Sequence, residues 1–91
     1  MANLEKVRER IKEIAGRRRN VKFSEIEWVV NQLGLNGFDT HSRNNGHQTI
    51  FSVGSRRFGV CSHNPGSGQI KPCYVDEFLN AMVELEIYEE D

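Results

Sequence analysis

The sequence predicts an α+β fold: a two-layer sandwich in which a three-stranded antiparallel sheet carries helices on one face, in the order α-α-β-β-β-α. Three observations predict it. Two stretches with apolar residues at helical spacing open the chain and a third closes it. Between them, residues 38–62 hold three short segments, the second and third rich in Thr, Ile, Phe and Val. Those segments are separated by Asn45-Gly46 and Gly54-Ser55, dipeptides suited to tight hairpin turns. Helices packed side by side can cover one face of such a sheet and leave the other open to solvent or a ligand.

The first helix is capped by Asn3, and Leu4, Val7, Ile11 and Ile14 form its apolar stripe up to Gly16, a C-terminal cap. Arg17-Arg18-Arg19-Asn20 is then a basic connector. For the second helix, Ser24 and Glu27 have the spacing of a capping box, and Phe23 and Trp28 that of a hydrophobic staple. Ile26, Val29, Val30 and Leu33 make one apolar face, and Gly34 is expected to end the helix in the left-handed conformation. Phe38 to Arg43 reads as the first strand, His47 to Val53 as the second and Arg56 to Ser62 as the third, with Asn45-Gly46 as a type I′ turn. A Gly/Ser/Pro loop, His63 to Gln69, leads to Pro72 in the first turn of a last helix. Val75, Phe78, Leu79, Met82, Val83 and Leu85 supply that helix's apolar side.

With 37% hydrophobic and 27% charged residues over 91 positions, the chain is expected to fold as a globular domain rather than remain disordered. No apolar run approaches the roughly 20 residues needed to cross a bilayer. The charge alternation from Glu5 to Lys12 does not read as a signal peptide, so the cytoplasm is the expected compartment, with Cys61 and Cys73 as free thiols. The net charge of −1 hides an asymmetry: residues 1–22 hold eight basic and three acidic groups, and residues 72–91 hold seven acidic and no basic ones. The acidic end repels phosphates and is expected to lie away from any RNA. Cys61, His63 and Cys73 lack the paired short spacings of a structural zinc site, so no metal or cofactor is expected.

The residues suited to proton transfer near neutral pH are His41, His47 and His63. His47 follows the Asn45-Gly46 turn, and His63 follows the third strand. Antiparallel pairing brings the start of the second strand near the end of the third, so both histidines can share one sheet edge. In a regular strand His47 shares parity with Phe51 and Val53, which would aim it at the helices. Arg56 and Arg57 alternate faces, so only one can lie on the open surface. Arg43, Arg57, Lys71 and the Arg17–Arg19 run are the candidate phosphate contacts.

In Asn44-Asn45-Gly46-His47, and in His63-Asn64-Pro65-Gly66 followed by Ile70-Lys71-Pro72, the chain resembles the HicA toxins, small mRNA interferases paired with HicB antitoxins. Phe23-Ser24-Glu25-Ile26 and Leu33-Gly34 are similar to the family's first-helix landmarks. In this chain glycine directly precedes His47, where the family carries a serine between the two. The resemblance spans about residues 21–87 and implies a core similar to a double-stranded-RNA-binding domain, here 21–91, preceded by a helical extension, 1–20. It implies His47 as catalytic residue and a HicB-like antitoxin as partner; Arg43, Arg57, His63 and Lys71 are the residues expected to contact the RNA. The expected activity is a metal-independent endoribonuclease acting on mRNA. Two rival expectations are a non-catalytic RNA-binding domain and a protein-interaction domain that docks through an exposed Leu4, Val7, Ile11 and Ile14 face.

Overall fold

The computed structural model describes residues 3–45, 48–61 and 70–89. Its elements are α1 (Leu4–Gly16), α2 (Phe23–Leu35), β1 (Thr40–Asn45), β2 (Gln48–Val53), β3 (Arg56–Cys61) and α3 (Pro72–Glu84), in the order the sequence predicts. The strands form one antiparallel meander with β2 in the centre. α3 lies chiefly against β3, α2 against β1 and β2, and α1 against α2 and α3. Among the described residues, no helix is long and apolar enough to cross a membrane.

Asn3 caps α1 as expected, its Oδ1 accepting the Lys6 amide at 2.9 Å. The stripe behind it does not face solvent. Val7, Ile11 and Ile14 are wholly buried in the same core as α2, α3 and the sheet. This overturns the expectation of an exposed docking face. Each such aliphatic side chain gains about 1.5–3 kcal/mol on burial, so the stripe is used up in intramolecular packing. Trp28 is held from the same side, with the Arg10 guanidinium 5.2 Å from its ring centroid.

α2 begins earlier than Ser24. Lys22 is its N-cap and Glu25, not Glu27, closes the capping box by accepting the Lys22 amide at 2.9 Å. The reason is tertiary. Arg17, at the end of α1, reaches the same carboxylate at 2.5 Å, and Arg10 adds a second charge at 3.9 Å. Burial pushes the Glu25 carboxyl up, but the Arg17 hydrogen bond, the Lys22 amide and the two arginine charges outweigh it. They hold the carboxyl below its ordinary value of 4.5. The folded state therefore favours the ionised form. The stability this contributes is complete above the unfolded pKa and is lost as pH falls through the lower folded one. Glu25→Gln is expected to cost about 1 kcal/mol at pH 7. In thermal melts its gap from the wild type should close as pH drops below about 4.5; a gap independent of pH would show that ionised Glu25 is not the source.

Gly34 does not end α2. The helix runs on to Leu35, and Gly37, at φ +101°, takes the left-handed position, with Phe38 N bonded to Leu33 O and Gly37 N to Gly34 O. Gly34 serves a different purpose: a Cβ there would lie 2.6 Å from Thr40 Oγ1 at the start of β1. Because the helix turn consumes residues 36–38, β1 starts two residues later than expected and extends to Asn45. Asn45 pairs with Gln48 and so belongs to β1; residues 46 and 47, on which the expected turn and the expected start of β2 fall, lie outside the described residues. The register is fixed at the other end, where Asp39 O accepts the Gly54 amide at 2.8 Å and Thr40 opposes Val53. Gly54 has φ +59°, which suits the first central position of a type II′ turn between β2 and β3.

The core runs through four phenylalanines from four elements. Phe23 of α2, Phe51 of β2, Phe58 of β3 and Phe78 of α3 stand with successive ring centroids 5.8, 5.6 and 5.6 Å apart. Phe23 thus packs on Phe51 rather than serving as the staple partner of Trp28; the residues at the staple positions are Val21 and Ile26, both fully buried. Pro72 occupies the first turn of α3 as expected, and Val75, Phe78, Leu79 and Met82 face the sheet and α1. Val83, expected on that side, is exposed, and Leu85 lies beyond the helix. A stripe at positions 75, 78, 79 and 82 leaves 83 turned about 100° away from 82.

Candidate functional site

Strand parity separates the two faces of the sheet. Phe51, Val53, Phe58 and Val60 face the helices and are buried. The opposite face carries His41 and Arg43 of β1, Gln48, Ile50 and Ser52 of β2, and Arg57, Gly59 and Cys61 of β3. Across the strands these form rows: Gln48 opposite Cys61, then Arg43, Ile50 and Gly59, then His41, Ser52 and Arg57. All are exposed or half-buried.

Of the two neighbouring arginines, Arg57 is the one on this open face. Arg56 points to the helical side, where it meets Glu77 at 3.4 Å and also Glu84. Arg43 and Arg57 have no carboxylate partner among the described residues. The only acidic side chain bordering the face among those residues is Asp39, whose Oδ1 is 3.1 Å from His41 Nε2. The Arg17–Arg19 run is partly committed elsewhere: Arg17 binds Glu25 at 2.5 Å and Arg18 binds Asp76 at 3.2 Å. Those two guanidiniums hold the connector to α2 and α3.

His47 and His63 lie outside the described residues, but the residues beside them in the chain are placed. Gln48, next after His47, is paired with Cys61, two residues before His63. Lys71 is the N-cap of α3 and is exposed. α3 packs chiefly on β3. Tyr74 in its first turn stands near Cys61, whose sulfur raises the Tyr74 hydroxyl above its ordinary pKa, by side-chain hydrogen bonding first and charge second. One end of the molecule therefore gathers Gln48, Cys61 and Lys71, with Arg43 one row inward. Arg57 sits about 13 Å from that end, four residues along β3.

On this end's helix-facing side Val60 of β3 stays fully buried, and the open part is the β1 edge. On the helix-facing side, burial falls off from Val53 and Phe51 to the half-buried Thr49, and in β1 Ser42 and Asn44 are exposed. Thr49 Oγ1 donates to Asn44 Oδ1 at 2.8 Å in the open. Parity therefore does not set burial along this end of β2: Thr49, on the same side of the strand as Phe51, already touches solvent.

Cys61 and Cys73 are both free thiols, and among the described residues no group of three or more His, Cys, Asp or Glu side chains could hold a metal ion. Sequence reasoning missed Gly59, Gln48 and Ile50 as parts of one open surface; alternation with Phe58, Val60 and Phe51 gives their side of the strand, and only the ladder brings them together. Comparison with protein-family models, with curated proteins and with solved structures gives no match.

Proposed function

We propose that the protein acts on RNA as a metal-independent endoribonuclease, an mRNA interferase resembling HicA and silenced by a HicB-like antitoxin that covers His47. The carrying observation is the ladder register that joins Gln48 to Cys61. It ties the chain on the C-terminal side of His47 to the chain on the N-terminal side of His63, at the end of the sheet where Lys71 caps α3. In this reading a ribose 2′-hydroxyl attacks the adjacent phosphorus and the 5′-oxygen of the next nucleotide leaves. The products are a 2′,3′-cyclic phosphate and a free 5′-hydroxyl. His47 takes the hydroxyl proton or supplies the one the leaving oxygen needs, and solvent water carries the other proton. Arg43, His63 and Lys71 hold the phosphate, where cations stabilise the charge that develops.

Expression of the wild-type chain is expected to arrest growth and deplete full-length mRNA, and His47→Ala to abolish both effects. Unimpaired growth with intact mRNA under wild-type expression would remove the nuclease reading. A non-catalytic RNA-binding role is the second reading, favoured by Arg57, which stands unpaired among the described residues yet far from the His47 end. It is distinguished by salt-sensitive RNA binding without cleavage products.

A further inference from the structure

We infer that the open sheet face is a platform for single-stranded RNA, with a base seated over Ile50 and Gly59 and its neighbouring phosphates held by Arg43 and Arg57. This rests on the RNA-acting reading above and extends its surface from the His47 end, with which it shares Arg43, along the open face to Arg57. Three observations support it. The face offers two guanidiniums with no carboxylate partner among the described residues, so phosphate can engage them without displacing an ion pair. Ile50 puts an apolar, half-buried side chain at the centre of an otherwise polar face. Directly opposite it stands Gly59, in the interior of β3, where glycine weakens a strand and marks a close approach by another group. A Cβ at position 59 would run into the Gln48 side-chain amide, so Ile50, Gly59 and the Gln48 amide together form a low floor. His41, Gln48 and Ser52 around it supply donors and acceptors for base edges. The guanidiniums of Arg43 and Arg57 and the His41 ring offer flat surfaces for stacking.

The dimensions favour one strand over two. From β1 to β3 the face is about 10 Å wide, room for about two bases. A duplex reader must span two successive minor grooves instead.

The test uses the full chain carrying His47→Ala, so that the probe survives, and fluorescence anisotropy with a labelled RNA of about 12 nucleotides, alone or annealed to its complement. Binding of the single strand should exceed that of the duplex. Arg43→Gln and Arg57→Gln should each weaken it about tenfold and lower the slope of log K against log salt by about 0.7. Gly59→Val, which a strand accommodates once the end of the Gln48 side chain swings aside and whose melt should match the parent's, should weaken binding while leaving the salt slope unchanged. Equal affinity for the duplex, or variants that bind as the parent does, would overturn the platform while leaving RNA binding intact. A chain that binds no RNA would overturn both readings. A dimer in light scattering that Gly59→Val dissociates would assign the face to a second copy of this chain and overturn the RNA assignment.

Discussion

Replacing Phe51 by alanine is expected to cost about 3–5 kcal/mol, a large part of the stability of a domain this small. Phe51 is 2% exposed and stands between two aromatic neighbours, 5.8 Å from Phe23 and 5.6 Å from Phe58. Neither neighbour can collapse into the space left behind. Phe23 is fixed in the first turn of α2, and Phe58 is held opposite residue 51 by the β2–β3 ladder. The substitution also interrupts the aromatic series that joins α2 to α3 through the sheet, and such ring pairs add about 0.5–1.5 kcal/mol each beyond their buried area. Circular dichroism melts should show the midpoint falling by on the order of 20 °C. Ile50→Ala, one residue earlier on the open face, is expected to cost about 1 kcal/mol or less. Equal losses at the two positions would contradict the assignment of faces.

Deleting residues 1–20 is expected to abolish cooperative unfolding. α1 contributes Val7, Ile11 and Ile14, all wholly buried, and together they supply about 5–9 kcal/mol of burial free energy. That is comparable to the net stability of the whole chain. The deletion also uncovers the sides of α2 and α3 on which α1 packs and removes several ties to the rest of the chain. Among them are the 2.8 Å hydrogen bond from Arg8 Nε to Ile87 O, the Arg17 grip on Glu25 and the Arg18 pair with Asp76. Ile11→Ala, a milder probe of the same contact, should cost about 2–5 kcal/mol. Calorimetry of the truncated chain gives the answer, and a sharp transition near the wild-type midpoint would show that α1 is a separable extension.

The sequence made some elements legible because their causes are local. Asn3 caps α1 through an amide three residues away, and Pro72 sits where its missing N–H costs nothing. Ile26, Val29, Val30 and Leu33 announce their shared face by spacing alone. The opposition of Arg56 and Arg57 follows from a two-residue period, and the structure sends one to the glutamates of α3 and the other to the open face. For the candidate site, the sequence showed Arg43, Arg57 and Lys71 as available cations and the two ends, beside His47 and His63, as neighbours. It did not show Gly59 or Ile50, because neither residue type signals a surface until its cross-strand partner is known.

Where it went astray, two local solutions competed and a distant group chose between them. Ser24 with Glu27 and Lys22 with Glu25 are both usable helix starts; Arg17, eight residues upstream of Glu25, selects the second. Gly34 and Gly37 can both follow a helix; close approach to Thr40 keeps the first inside α2 and leaves the turn to the second. That choice moves β1 by two residues. By itself, then, the sequence determined the elements, their order and which side of each is apolar, since these depend on periodicity and neighbours within one turn. Tertiary structure alone decided the strand register, the fate of the α1 stripe and which cations remain unpaired on the open face. Each of those depends on what packs against the element from elsewhere in the chain, and no local pattern encodes it.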